Sequence, residues 1–224
     1  MASKAIVPVL IGLAIGAAAF LPARLLLPSP PLSAANVAGS VWHASLTDAA
    51  VGSVGLGQVD LIVEPAALLR GRLQWRIAGN IPGGIAGQIW QSPTGGGSEA
   101  ISGTISGAAL PGLPLAAISL ADAAVTLDIA GRCRSASGQI STGLAAALAG
   151  QSSLSGALRC DGSVLLLPMA SPDGRVRLDV RIMARGWQAE LAVAGAAPAE
   201  TLALAAAGFG RRGSDVLLIR EGRW

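Results

Sequence analysis

The sequence predicts a mainly β protein, with an N-terminal transmembrane helix followed by an antiparallel β domain that forms a curved sheet or a sandwich and carries two short helices. Short apolar segments with period-two alternation recur between Gly, Pro and Asp residues, which is typical of strands with one buried face. Hydrophobic residues make up 52% of the chain and aromatic residues only 3%, which indicates an aliphatic core. An uncharged run near the N-terminus is long enough to cross a bilayer.

The uncharged run extends from Ala5 to Ala23. Its length of about 19 residues spans roughly 28 Å as a helix, which matches the hydrocarbon core of a membrane. Three alanines at 17–19 fit a signal-peptide cleavage site, but the apolar run continues beyond them to Leu21. A cleaved signal peptide and an uncleaved anchor are both open, and we expect the anchor.

The chain divides into three parts on this basis. Residues 1–27 form the membrane anchor, residues 28–36 a proline-rich spacer, and residues 37–224 the β domain. Pro28, Pro30 and Pro31 disfavour helix and sheet alike, so the spacer is expected to be stiff and extended.

The β domain is expected to be a meander of antiparallel strands joined by short turns. Its clearest strand is RVRLDVRIM, in which Val176, Leu178, Val180 and Ile182 share one face. Strands are predicted at residues 37–47, 54–63, 72–79, 84–90, 99–107, 115–130 (as two strands), 154–160, 163–169, 175–184, 187–195 and 215–221. Helices are predicted from Ser141 to Ala149 and from Pro198 to Ala207, and a flexible hairpin loop from Ser92 to Ala100.

The residue types that most catalytic sites need are scarce. His43 is the only histidine, so a nucleophilic triad would have to be built around it. The sequence contains neither a GxSxG elbow nor an HExxH motif, and a single histidine without a CxxC pair does not make a zinc site. We therefore expect no enzymatic activity, no cofactor, no metal and no small-molecule substrate. The net charge is +3, but the arginines are scattered along the chain, so no nucleic-acid partner is expected.

The tryptophans are also dispersed. Trp42, Trp75, Trp90 and Trp187 each fall in a predicted strand, where burial in the core is expected. Alternation along the first strand places Trp42 and His43 on opposite faces. We therefore expect Trp42 to anchor the core and His43 to lie at a polar surface.

The two cysteines, Cys133 and Cys160, fit an exported chain, because an oxidising compartment would pair them. The bond would close a loop of about 26 residues, for which the chain-entropy model gives roughly 3 kcal/mol of stabilisation.

Several short motifs follow the apolar run in a fixed order. They are LPARL from Leu21 to Leu25, GSVW from Gly39 to Trp42, EP at Glu64 and Pro65, ALLRG from Ala67 to Gly71, and RLQWRI from Arg72 to Ile77. In their order and spacing the chain resembles protein N of the type II secretion system, an anchored envelope subunit of the machine that exports folded proteins across the outer membrane. The residues that mark this resemblance, and that we also expect in the core, are Gly39, Trp42, Pro65, Leu69, Gly71 and Trp75.

The resemblance continues in a closing helix from Pro198 to Phe209 before a last strand, and in three earlier segments, where it implies the same Cys133–Cys160 pairing. These segments are GRCRSASGQI from Gly131 to Ile140, GLAAALAG from Gly143 to Gly150, and LSGALRCDGSVLLL from Leu154 to Leu167. The family implies a single-pass inner-membrane protein with most of the chain in the periplasm, acting as a non-catalytic accessory subunit. Its implied partners are other type II secretion subunits and inner-membrane lipid. An alternative is a periplasmic lipid-binding or lipid-transfer module, because a curved aliphatic sheet could hold acyl chains.

Overall fold

The computed structural model describes residues 21–25, 32–51, 54–79, 84–106, 110, 112–144 and 153–223. Within these residues the chain is mainly antiparallel β structure with two α-helices, as the sequence predicts. The strands are β1 (Leu32–Ser33), β2 (Asn36–Ser40), β3 (His43–Val51), β4 (Val54–Val63), β5 (Leu73–Gly79), β6 (Ala86–Ser92), β7 (Gly95–Ser106), β8 (Leu115–Asp128), β9 (Cys133–Leu144), β10 (Leu154–Ala157), β11 (Arg159–Asp161), β12 (Val164–Ala170), β13 (Val176–Met183), β14 (Gly186–Val193), β15 (Gly210–Arg212) and β16 (Asp215–Arg223). The helices are α1 (Pro65–Leu68) and α2 (Pro198–Ala206), and a 3-10 helix spans Ala23–Leu25.

The described strands form one open 16-stranded sheet in the order β1-β3-β4-β5-β6-β7-β8-β9-β10-β12-β13-β14-β16-β15. Beside this path, β2 pairs with β3 and β11 pairs with β12. Sequential strands are neighbours along most of the path and pair antiparallel, which is the arrangement that short turns allow. The predicted meander is therefore confirmed, and it forms a single sheet.

The registers place the turns alternately at two ends of this sheet. We call one the proximal end; it carries the connections β2–β3, β4–β5, β6–β7, β8–β9, β11–β12 and β13–β14, together with the end of β16. The opposite, distal end carries the β12–β13 turn and helix α2. The N-terminal segment joins the proximal end, because the Val41 amide donates a hydrogen bond to the Leu21 carbonyl at 2.9 Å.

The sheet curls around its main hydrophobic core, as sheets of more than about ten strands tend to do. Residues of β7–β10, of β12–β14 and of β16 belong to one buried cluster, in which Leu154, Leu178 and Leu191 are fully buried. Leu204 of α2 joins the same cluster, so this helix closes the distal end of the core. A smaller second cluster gathers buried residues of β3 and β4, and Ala23 packs there with no exposed surface.

Bulges within long strands add to the curvature. Asp48 in β3, Ala100 in β7 and Asp122 in β8 have positive φ angles of 51°, 51° and 50°. Each lies at a shift in the pairing register, and an inserted residue of this kind bends the strand and increases its twist. A bulge also interrupts the period-two alternation. This is why residues 115–130, predicted as two strands, contain the single strand β8.

The predicted anchor lies almost entirely outside the described residues, which begin at Leu21. No helix in the described part of the chain combines the length and the hydropathy of a transmembrane span. Pro22 forms a β-bridge with Ser40, so the end of the apolar run packs on the sheet. The sheet also takes in the end of the predicted spacer, because Leu32 and Ser33 pair with β3 and Asn36 begins β2.

Two other local predictions are wrong. The predicted strand at residues 37–47 is the hairpin β2–β3, with a turn at Val41 and Trp42 and with Ser40 paired to His43. The predicted loop from Ser92 to Ala100 is mostly strand, because only Pro93 and Thr94 form a turn before β7 begins.

Strand β9 is absent from the sequence prediction. Its last residues, Ser141–Leu144, pair with β8 and β10, although the sequence predicts that a helix begins at Ser141. The rest of that predicted helix, residues 145–149, lies outside the described residues. By contrast, the helix predicted at Pro198 is confirmed as α2.

Candidate functional site

The only histidine of the sequence lies at an exposed position. His43 begins β3 and pairs with Ile62 of β4, next to the β2–β3 turn. Across the described ranges, no group of three or more His, Cys, Asp or Glu side chains is placed to hold a metal ion.

Gly39 and Trp42 lie within the β2–β3 hairpin, Gly39 in β2 and Trp42 in the turn, rather than in one continuous strand. Gly39 has a φ of +96°, and a Cβ there would lie 2.3 Å from the His43 carbonyl oxygen, so only glycine fits without a backbone shift. Trp42 lies in the turn, is half-buried, and accepts a hydrogen bond at its carbonyl from the Val63 amide at 2.9 Å. Its side chain belongs to neither core cluster, so the expected role as a core anchor is wrong.

The other marker residues lie in or beside the β4–β5 connection. Pro65 begins α1, and Gly71 ends the following turn with a φ of +69°. Trp75 of β5 is half-buried and packs against the second core cluster. The side chain of Leu69, by contrast, is 92% exposed and is not a core residue. The motif around Leu69 therefore includes a large apolar residue that the fold itself does not use.

A disulfide joins Cys133 to Cys160 at the proximal end, with 5.6 Å between their Cα atoms. Cys133 is the first residue of β9, and Cys160 lies in β11, which pairs with β12 on its other side. The Cys133 amide also donates to the Ser163 carbonyl at 2.9 Å. The bond therefore connects two hairpins at a point where β9 and β11 do not form a paired ladder.

Next to this bond, the Asp128 carboxylate organises the β8–β9 turn. Its Oδ1 accepts hydrogen bonds from the backbone amides of Ala130 and Arg132, each at 2.9 Å. Its Oδ2 accepts from the Arg132 Nε at 2.8 Å and from the Arg134 guanidinium at 3.0 Å. The Arg132 backbone hydrogen bond, together with the other donors, holds the pKa of Asp128 below its ordinary value of 3.8.

We expect Asp128→Asn to lower the free energy of unfolding near neutral pH and to have little effect in strong acid. Because the folded-state pKa is lowered, the contribution is present above pH 3.8 and is lost as the pH falls through the folded-state pKa. Urea midpoints at about pH 7 and about pH 2 measure this difference. Asp161→Asn, at the exposed last residue of the neighbouring strand β11, is the control. Equal losses for Asp128→Asn at both pH values would contradict the explanation.

The inner face of the curled sheet encloses a cavity of about 220 Å³. Aliphatic side chains of β7 and β8, such as Ile101 and Ile118, face Leu167, Val180 and Trp187 across it. The volume is below the roughly 300–1,000 Å³ of typical small-molecule sites, so the cavity could take part of an acyl chain. Apart from Ser98, the lining residues are apolar or aromatic, and none of them is charged.

A second pocket, of about 520 Å³, lies at the proximal end and is bordered by Trp75, Trp90 and the glycine-rich start of β7. The Trp90 ring packs over Gly97, where a Cβ would lie 3.1 Å from the ring and 2.2 Å from the Val125 carbonyl oxygen. The Arg72 guanidinium lies 4.6 Å from the centroid of the same ring, a cation–π contact. Only glycine fits this close packing, which explains why the glycine-rich segment at the start of β7 forms a strand. The sequence alone predicts a loop there because it does not reveal the contact with Trp90 and β8.

The described residues form an antiparallel β domain with a curled sheet, one disulfide and an aliphatic cavity. A family model described as type II secretion system (T2SS), protein N matches residues 30–218, and the chain belongs to this family. The resemblance that the sequence motifs indicate is therefore confirmed. No curated protein and no solved structure matches the chain significantly. Family membership supports an accessory role in type II protein secretion and a location in the cell envelope.

Proposed function

We propose that the chain is a non-catalytic accessory subunit of the type II secretion system, anchored in the inner membrane by one N-terminal span, with its β domain in the periplasm. The family match over residues 30–218 carries this proposal. The part of the uncharged run that precedes Leu21 supports an anchor within residues 1–27, because Leu21, Pro22 and Ala23 pack on the β domain. The Cys133–Cys160 disulfide supports an oxidising compartment such as the periplasm.

The β domain contacts other envelope subunits, and strand addition is disfavoured at the parts of the sheet edge that β15 and β2 form. An exposed edge strand is the usual platform for strand addition. Here β15 is only three residues long and carries Arg211 and Arg212, features that disfavour such pairing. At the other edge, the bridge between Pro22 and Ser40 covers part of β2.

Deleting the gene tests the accessory role. We expect enzymes that leave the cell by this system to decrease in the medium and to accumulate in the periplasm. The wild-type gene should restore secretion, and His43→Ala should restore it equally because the proposal assigns no catalysis to that residue. Unchanged secretion, with no secretion subunit recovered by crosslinking and pulldown, would contradict the proposal.

The aliphatic cavity favours a second candidate function, a periplasmic lipid-binding or lipid-transfer module. Its lining of β7, β8 and β12–β14 side chains is suited to a hydrocarbon chain and offers no ionic partner for a headgroup. Its small volume supports binding of one chain segment rather than a whole lipid.

Mass spectrometry of the purified full chain under native conditions distinguishes this second function. A lipid held in the cavity should be lost in Ala123→Leu, because Ala123 lines the cavity and is 3% exposed. Ala44→Leu is the matched control, since Ala44 is equally buried but lies in the second core cluster. Absence of lipid from the wild-type chain, or its retention in Ala123→Leu, would count against this function.

A further inference from the structure

The proximal end of the sheet combines exposed apolar side chains, excess arginine and the point at which the N-terminal segment arrives. We propose that this end is a membrane-contacting surface, which rests on the anionic phospholipid headgroups of the bilayer with Leu69 and Ile129 inserted at the acyl boundary. The inference rests on the proposed anchor and goes beyond it, because it assigns the orientation of the β domain and the residues that touch lipid.

The first observation is the short connection between the N-terminal segment and the sheet. Leu21, only a few residues after Gly16 of the apolar run, is hydrogen-bonded to Val41 in the β2–β3 turn. Ala23 is fully buried in the second core cluster. An anchor that ends at this point leaves little free chain before the domain begins. The proximal end, and not the distal end, must therefore face the membrane.

The second observation is the distribution of exposed large apolar residues. Leu69 is 92% exposed in the β4–β5 connection, and Ile129 is 82% exposed in the β8–β9 turn. Leu68 and Met183, each 44% exposed, belong to the same end, in the β4–β5 connection and at the end of β13. Leu69 and Ile129 belong to neither core cluster. Among the described residues, six large apolar residues are exposed by 44% or more, and four of them lie at this end, the other two being Leu202 and Ile219. Insertion at the acyl boundary of a bilayer would remove the apolar side chains at this end from water and would therefore lower their free energy.

The third observation is charge. Arginines outnumber carboxylates at the proximal end: its exposed arginines are Arg24, Arg70, Arg72, Arg132, Arg134, Arg185 and Arg223, and its acidic residues are Glu64, Glu99, Asp128, Asp161 and Glu221. Of these arginines, Arg72 pairs with Glu99, and Arg132 and Arg134 pair with Asp128. Arg70 directly follows Leu69, and neither it nor Arg185 forms an ion pair with another described residue. Arginines beside apolar tips complement an anionic headgroup layer, where guanidinium groups pair with phosphates.

The turns that carry these residues are held in place by the fold. The position of a Cβ on Gly131 lies 3.4 Å from the Ala184 side chain, so the β8–β9 turn adjoins the β13–β14 turn that carries Arg185. The β8–β9 turn is also fixed by the Asp128 hydrogen bonds. Arg72 on the face of Trp90 holds the β4–β5 connection against β6. The β4–β5 connection and the β8–β9 turn are thus held in place by contacts within the fold. They can therefore present Leu69 and Ile129 to a membrane in a defined position.

Photo-crosslinking of the full chain in vesicles tests the proposal. The photoreactive residue p-benzoylphenylalanine is placed singly at Leu69, Ile129 or Leu202, and each chain is reconstituted in vesicles of phosphatidylethanolamine and phosphatidylglycerol. Leu202 is the matched control, because it is 74% exposed but lies on α2 at the distal end. After illumination we expect phospholipid adducts, detected by mass, at Leu69 and Ile129 and not at Leu202.

A second arm tests the arginines. Arg70→Gln with Arg185→Gln should lower the lipid adduct at Leu69 several-fold, whereas Arg211→Gln with Arg212→Gln, on the distal β15, should not. The same reduction should follow when phosphatidylglycerol is replaced by a zwitterionic lipid. An adduct that is insensitive to both changes would overturn the assignment to anionic headgroups.

Flotation of the same samples distinguishes failure of the proposed anchor from failure of the proposed membrane-contacting surface. A chain that floats with the vesicles but gives no lipid adduct at Leu69 and Ile129, or an equal adduct at Leu202, overturns the membrane-contacting surface and leaves the anchor intact. Adducts between two copies of the chain at Leu69 would also overturn it, because they would assign that surface to self-association. A chain that does not float overturns the anchor and this inference together.

Discussion

Replacing Gly156 by alanine is expected to destabilise the protein by about 3 kcal/mol. Gly156 lies in β10, which pairs with both β9 and β12. A Cβ at this position would lie 1.7 Å from the Pro168 carbonyl oxygen and 3.3 Å from the Met169 Cα, both of them backbone atoms. No side-chain rotation relieves such a contact, so the two strands must move apart. Because Leu154 of β10 and Met169 of β12 are core residues, that movement also opens the main core.

Urea unfolding followed by tryptophan fluorescence measures the loss, with Trp187, 3% exposed, reporting on the main core. Gly55→Ala is the matched control, because Gly55 also lies in a strand and a Cβ there meets no atom within 4 Å. We expect the control to change stability by less than about 1 kcal/mol. Similar losses for the two variants would mean that the close approach of β10 and β12 does not determine the effect.

The parts of the fold that follow from sequence are those in which one strand face is buried and the other is not. Strand β13 is the clearest case, since Val176, Leu178 and Val180 are buried as their alternation predicts. Helix α2 also follows from local signals, namely Pro198 at its first turn and Gly208 just after its end. In both elements the local pattern and the tertiary environment agree.

The parts that the sequence does not predict depend on contacts between distant segments. Strand β9 contains small polar residues and Gly138, where a Cβ would lie 2.6 Å from the Ala123 Cα. Its strand conformation is therefore favoured by the close approach of β8, which no local propensity reveals. The sequence also does not predict the β2–β3 turn. This hairpin needs the positive φ angle of Gly39, which the hydrophobic pattern does not indicate.

Some features of the candidate sites can likewise be predicted from the sequence, and others depend on contacts between distant segments. The pairing of Cys133 with Cys160 follows from two cysteines and an oxidising compartment. The exposure of Leu69 does not follow from sequence, because a leucine in an apolar motif indicates burial whether it faces the core or a membrane. The cavity is likewise invisible in the sequence, since Ile118 and Val180 meet only when the sheet curls.

Removing the disulfide by Cys133→Ser with Cys160→Ser is expected to lower the free energy of unfolding by about 3.5 kcal/mol. The two residues are separated by 27 positions, and opening that loop restores conformational freedom to the unfolded chain. The backbone amide of residue 133 can still donate to the Ser163 carbonyl in the double variant, and the β11–β12 ladder is unchanged, so the fold is expected to persist.

The comparison that isolates the covalent bond is between the double variant and the wild-type chain in a reducing agent. Both should unfold at nearly the same urea concentration, well below the oxidised wild-type chain, because each lacks the same constraint on the unfolded state. On a non-reducing gel, only the oxidised wild-type chain should change mobility when reductant is added. If the double variant is far less stable than the reduced wild-type chain, the loss comes from replacing Cys133, which is 5% exposed, by a polar residue in a buried site. If both match the oxidised chain, the loop that the bond closes is already constrained in the unfolded protein, and the entropic account of its stabilisation is wrong.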